Sequence, residues 1–85
     1  MLFKKVWKHK MACFDGNGKL FGVNIFDYHW TETGEKVIVT DPLYHQEHEF
    51  DVFAVQIKGK TKRFVAGEYS NLVWGFYVEK TVIGR

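Results

Sequence analysis

The residues best able to do chemistry in this 85-residue chain fall in Tyr44-His45-Gln46-Glu47-His48-Glu49. His45 and His48 are three positions apart and Glu49 is four beyond His45, so on a helix two imidazoles and a carboxylate would share one face and could hold Zn²⁺ or another divalent ion. A catalytic zinc site also needs a third protein ligand and an open position. The zincin pattern, with Glu directly after the first His and the second His four residues on, is broken by Gln46. The segment therefore reads as a polar, solvated turn, with no metal and no cofactor expected.

Other catalytic sets are weaker. The single serine, Ser70, stands beside Asn71 without a Gly-x-Ser-x-Gly context, and Cys13, between Ala12 and Phe14, reads as a buried structural thiol with no activating neighbour in sequence. Asp15-Gly16-Asn17-Gly18-Lys19 lacks the downstream bidentate glutamate of a calcium loop and reads as a tight turn. Gly59-Lys60-Thr61 lacks both the earlier glycine and the following helix of a phosphate-binding loop and reads as a basic β-turn. Acid–base cleavage of a phosphodiester by His45, His48 or Glu47 with a distant Lys or Arg has only residue types in its favour. The chain is expected not to be an enzyme.

Two segments interleave basic side chains with rings: Lys4-Lys5-Val6-Trp7-Lys8-His9-Lys10 and Lys58-Gly59-Lys60-Thr61-Lys62-Arg63-Phe64. Barrels that bind nucleic acid combine such tracks with aromatic platforms. Charge is polarised along the chain although the total is only +2. Residues 1–20 carry five lysines against Asp15, a net +4; residues 21–51 carry seven acids against Lys36, a net −6; residues 52–85 carry six basic groups against Glu68 and Glu79, again +4. An acidic middle third would repel a nucleic acid passing over it, and the same blocks also fit solvated edge strands and loops.

These segments must be positioned by strands. From Phe3 to Phe14 a period of two places Trp7 and Met11 on the inward side, and the Asp15–Gly18 turn predicts that a second strand, Lys19 to Trp30, returns directly, bulged near Ile25-Phe26. Thr31–Lys36 reads as a polar turn and Val37–Thr40 as a short strand; Asp41 as an N-cap and Pro42 as a first helical residue predict one or two helical turns over 42–49. Asp51–Lys58, Arg63–Tyr69 and Leu72–Lys80 then form a three-stranded meander, with Gly67 and Gly75 relieving crowding at a bend. In the last strand Leu72, Trp74, Phe76 and Val78 are expected to face inward, leaving Val73, Tyr77 and Glu79 outside. The fold class is mainly β: a small antiparallel barrel or strongly curled sheet of about six strands, one domain over residues 1–85.

Hydrophobic residues make up 46% of the chain and aromatics 18%, which rules out a disordered segment. A lone cysteine points to a reducing, cytoplasmic setting, and no apolar run is long enough for a signal peptide or a membrane span. With no catalytic set, the chain is expected to be a non-enzymatic interaction module that binds a protein partner or its own copies, because its 15 rings exceed what one small core hides. Chain length alone suggests an accessory or inhibitor protein of phage or mobile-element type. The alternative is a nucleic-acid-binding barrel using residues 4–10 and 58–63. Residues expected at the partner surface are Tyr77, Val73, Lys8, Lys10, Lys60, Lys62 and Arg63.

Overall fold

A computed structural model describes residues 2–13, 18–70 and 73–84. The expected turn at 15–17, the Cys13 side chain and Leu72 lie outside the described structure. Five long strands, β1 (Leu2–Cys13), β4 (Thr31–Thr40), β5 (Glu47–Ile57), β6 (Lys60–Ser70) and β7 (Val73–Gly84), form one antiparallel, strongly curled sheet in the order β1-β7-β6-β5-β4. Two short strands, β2 (Lys19–Leu20) and β3 (Val23–Asn24), form a separate ribbon. The sheet does not close into a barrel, since β1 and β4 are its two edges.

Residues 19–30 are not the long second strand expected from their sequence. β1 pairs with β7, and the 18–30 segment folds across one face of the sheet. Its apolar residues occupy both faces of any extended strand, a pattern that suits a plug better than an alternating strand. Leu20 and Ile25 enter the core, and Phe21, Val23, Phe26, Tyr28 and Trp30 pack around them. Backbone and side-chain bonds fasten the plug: Ile25 N donates to Gly18 O (2.8 Å), Asn24 Oδ1 accepts from Phe26 N (3.1 Å) and Trp30 Nε1 donates to Ile25 O (2.8 Å).

The sheet carries a hydrophobic core on each face. Under the plug, Val55, Ile57, Phe64, Ala66 and Phe76 join Leu20 and Ile25. On the concave face, Val39, Phe50, Val52, Val65, Tyr69, Val73 and Tyr77 form a second core with Trp7, Ala12 and Val37 at its margin. Two cores absorb most of the rings, which removes the aromatic surplus as a sign of an interface. A purely alternating strand with one solvated face was the wrong template for β7, because here both faces are covered. Tyr77 is 2% exposed and Val73 6% exposed, so neither is the surface residue expected.

Three irregularities shape the sheet. The β1–β7 register shifts between His9 and Met11, so Trp7 joins the concave core while Met11 packs under the plug, not on the shared inward side expected. Gly67 and Gly75 are paired neighbours; a Cβ on Gly67 would collide with the Phe50 ring and one on Gly75 with Tyr69, so these glycines let two rings lie against the backbone. Residues 31–36, expected as a turn, are part of β4, with a register irregularity between Glu32 and Lys36 around Gly34 (φ +87°).

Candidate functional site

Two side-chain clusters stand out. The first lies at the open end of the concave core. Asp41, fully buried, accepts the backbone N–H of Tyr44 with one carboxylate oxygen and meets His48 Nε2 with the other (2.6 Å). His45 N donates to Asp41 O (3.0 Å), closing a single turn over 41–45. The capping role expected of Asp41 is thus present, but β5 begins at Glu47, and the helical turns expected over 42–49 shrink to this one. His48 and Glu49 consequently alternate across β5, while His45 sits in the turn with φ +58°. No three metal-ligating side chains cluster among the described residues.

Burial opposes ionisation of Asp41, yet the Tyr44 backbone, the His48 ring and the Gln46 backbone together hold its carboxyl below the ordinary range. Behind the pair, Tyr69 OH donates to Tyr77 OH (2.9 Å), which donates to Thr40 O (3.1 Å). Burial raises the pKa of both phenols. His9 lies edge-on to Tyr77 (5.3 Å between centroids), and its buried Nε2 has no hydrogen-bond partner among the described residues. Burial lowers the pKa of His9, against the opposing charge of Asp41. Among the described residues the partner of His48 Nε2 is Asp41 and no hydroxyl. The cluster's evident work is structural: it anchors the β4–β5 turn to β6, β7 and β1.

The second cluster lies at the opposite end of β6 and β7. The β6–β7 ladder ends at the pair Phe64 and Val78, whereas the β5–β6 ladder runs on to Ile57 and Lys60 and the β1–β7 ladder to Leu2 and Gly84. Beyond Phe64 and Val78 the sheet forks into two two-stranded ribbons. Side chains alternate along each ribbon, so Lys60 and Lys62 share the face of Phe64, and Lys80 shares the face of Val78. On the neighbouring strand Lys4 is paired with Val82, Val6 with Lys80, and Lys8 with Val78, a checkerboard of lysine and valine on that same face. The two basic segments, far apart in sequence, therefore converge.

A groove of about 450 Å³ continues this face, lined by Lys10, Lys19, Leu20, Phe21, Gly22 and Val78. Phe21 is held in the left-handed region (φ +56°) beside Gly22, and Lys62 Nζ lies 6.0 Å from its ring centroid. Among the described residues, no carboxylate forms an ion pair with Lys4, Lys8, Lys10, Lys19, Lys60, Lys62 or Lys80. The other face of the fork is neutralised internally: Glu79 meets Lys5 (3.9 Å) and Arg63 (3.6 Å), Arg63 also meets Glu35 (2.5 Å), and its guanidinium lies 5.7 Å from the Trp7 ring.

Of the residues expected at a partner surface, Lys8, Lys10, Lys60 and Lys62 are thus brought together. Arg63 is separated from Lys60 and Lys62 by strand alternation and is engaged by two acids and a ring. Tyr77 and Val73 belong to the concave core. Lys19 and Lys80 join the basic face unexpectedly; the alternation of Val78 and Lys80 marks the latter, but only the β1–β7 pairing brings it beside Lys8. Comparisons of the chain with known protein families, with curated proteins and with solved structures find no match.

Proposed function

We propose that the protein is a non-enzymatic interaction module and that the lysine-bearing face of the fork is the surface with which it binds an acidic macromolecule. The observation that carries this reading is the gathering onto one face of ammonium groups from β1, β6, β7 and the plug that have no carboxylate partner among the described residues. Lysine on an edge strand has an ordinary explanation, since it blocks unwanted strand pairing, and this suffices for Lys4 and Lys8 on β1. Lys62 and Lys80 lie beyond the last β6–β7 pair, where each strand borders the fork, so the same explanation reaches them singly; it does not account for Lys19, which the plug carries to the groove on that same face. Charge concentrated in this way raises the local concentration and association rate of an anionic partner.

The test is capture from an extract of the source cells, with nuclease treatment in parallel, comparing the wild-type protein with Lys8→Glu/Lys62→Glu/Lys80→Glu. A partner retained by the wild type and lost by the triple variant is the expected result. Identical captures by the two proteins would remove the fork from the reading.

Self-association is a second reading, supported by the exposed apolar cluster at the tip of the β1–β7 ribbon: Leu2, Phe3 and Ile83 are 69%, 66% and 63% exposed. Sedimentation equilibrium at micromolar concentration is expected to reveal a dimer that Phe3→Glu dissociates. A 10 kDa species alone would dismiss this reading.

A further inference from the structure

We infer that the fork is a binding site for the phosphodiester backbone of a single-stranded nucleic acid, an assignment that rests on the reading of the lysine face as the binding surface. Three observations favour this partner over other anions. The first is spacing. Alternate residues along a strand are about 6.6 Å apart and neighbouring strands about 4.8 Å apart. Lys60 and Lys62 thus stand about 6.6 Å apart on one ribbon and Lys4 and Lys8 about 13 Å apart on the other, with Lys80 on the adjoining strand between them, and together they make a charged track that follows an extended, charged chain. A single compact anion would engage only part of it.

The second is continuity. Arg63 reaches both Glu79 and Trp7 on the other ribbon, so the two ribbons are tied together at their base and one extended chain can follow the lysines of both. The third is the groove that extends the track. Its wall is Phe21, half-buried, with Lys62 beside the ring and Lys10 and Lys19 around it. A ring bordered by ammonium groups is the combination that holds a base while its phosphate is neutralised. One side of the Phe21 ring packs on Phe64, and the part of it that borders the groove is where a base would stack.

The acids on the same face fix the polarity of the site. Glu49 and Asp51 alternate with Phe53 and so share its face, but they lie at the far end of β5 from Lys60. The bound strand is therefore confined to the forked half of the molecule.

The test is fluorescence anisotropy with a labelled 15-nucleotide oligo-dT, alongside a 15-base-pair duplex and a 15-residue polyglutamate as competitors. With four to five phosphates neutralised, log K should fall against log salt with a slope of about −3. Lys62→Glu/Lys80→Glu is expected to weaken oligo-dT binding at least tenfold, as is Lys4→Glu/Lys8→Glu on the other ribbon, whereas Lys36→Glu, remote from the fork, leaves it unchanged. Thermal melts by circular dichroism establish that each variant is folded, and two independent pairs guard against loss of either. Phe21→Ala is expected to weaken oligo-dT while leaving polyglutamate competition unaltered. If polyglutamate competes as well as oligo-dT, the nucleic-acid assignment fails and the fork remains a general anion-binding face. If the duplex is preferred, the single-strand assignment fails. If neither anion binds, or if binding ignores all four lysines, the fork itself is refuted as the binding surface.

Discussion

Replacing Tyr77 by Phe removes one oxygen from the centre of a buried chain of hydrogen bonds. The Tyr77 hydroxyl accepts from Tyr69 OH at 2.9 Å and donates to Thr40 O at 3.1 Å. Its loss leaves a buried donor on Tyr69 and removes one partner from the Thr40 carbonyl, with the ring packing unchanged. An unsatisfied buried polar group costs about 1 to 3 kcal/mol, so Tyr77→Phe is expected to destabilise the fold by about 2 kcal/mol. Tyr69→Phe deletes only the terminal donor, and Tyr77 keeps its bond to Thr40, so that variant should lose about 1 kcal/mol. Urea denaturation followed by tryptophan fluorescence resolves the difference, because with a slope near 1 kcal/mol per M the midpoints should shift by about 2 M and about 1 M. Equal shifts, or a larger shift for Tyr69→Phe, would refute the direction assigned to the chain. A neutral Tyr77→Phe would refute its burial as a linked pair.

Other consequences follow from the same packing. Gly75→Ala drives a methyl into the Tyr69 ring and should lower stability by about 1 to 3 kcal/mol in a thermal melt; an unchanged melting temperature would mean that the ring does not lie on the backbone. Both Asp41 and His9 have folded pKa values below their unfolded ones, so each stabilises the fold above its unfolded pKa and loses that contribution as pH falls. Melting temperature should therefore start to drop below about pH 6.5 through His9 and drop further below about pH 4 through Asp41, with Asp41→Asn flattening the lower limb. A melting temperature constant from pH 7 to pH 3 would contradict both assignments. The raised phenols act at the other extreme: the fold should weaken as pH rises above about 10, and Tyr69→Phe should blunt that loss.

Much of the β architecture is legible from alternation and turn residues. Phe53, Val55 and Ile57 share a face as their spacing requires, and Gly59, at φ +79°, turns β5 into β6. Alternation cannot say whether the second face of a strand is wet. In β7, Trp74 and Phe76 pack under the plug while Val73 and Tyr77 enter the concave core, so a strand buried on both sides reads as though half its rings were spare. The plug itself is opaque for a related reason: Leu20 to Trp30 is rich in β-forming residues, yet its value to the fold lies in covering a sheet, which only the finished sheet reveals. Asp41 and His48 are seven residues apart, and their contact depends on the tight turn that brings the two strands together. The basic face is half legible. Lys8, Lys10, Lys60 and Lys62 stand out as local runs, but Lys80 joins them only through the pairing of the first strand with the last, and Arg63 leaves them because a strand sends neighbouring side chains to opposite faces.

Backbone amide shifts in solution NMR, followed as oligo-dT is titrated into the wild-type protein, show whether the converging lysines form the working surface. Fast, saturable shifts are expected at residues of both ribbons, including Lys4, Lys8, Lys60, Lys62 and Lys80, and at Phe21 and Gly22, with the concave core around Tyr69 and Tyr77 undisturbed. Shifts confined to the Asp41–His48 end, or spread evenly over the surface, would contradict that role for the lysines.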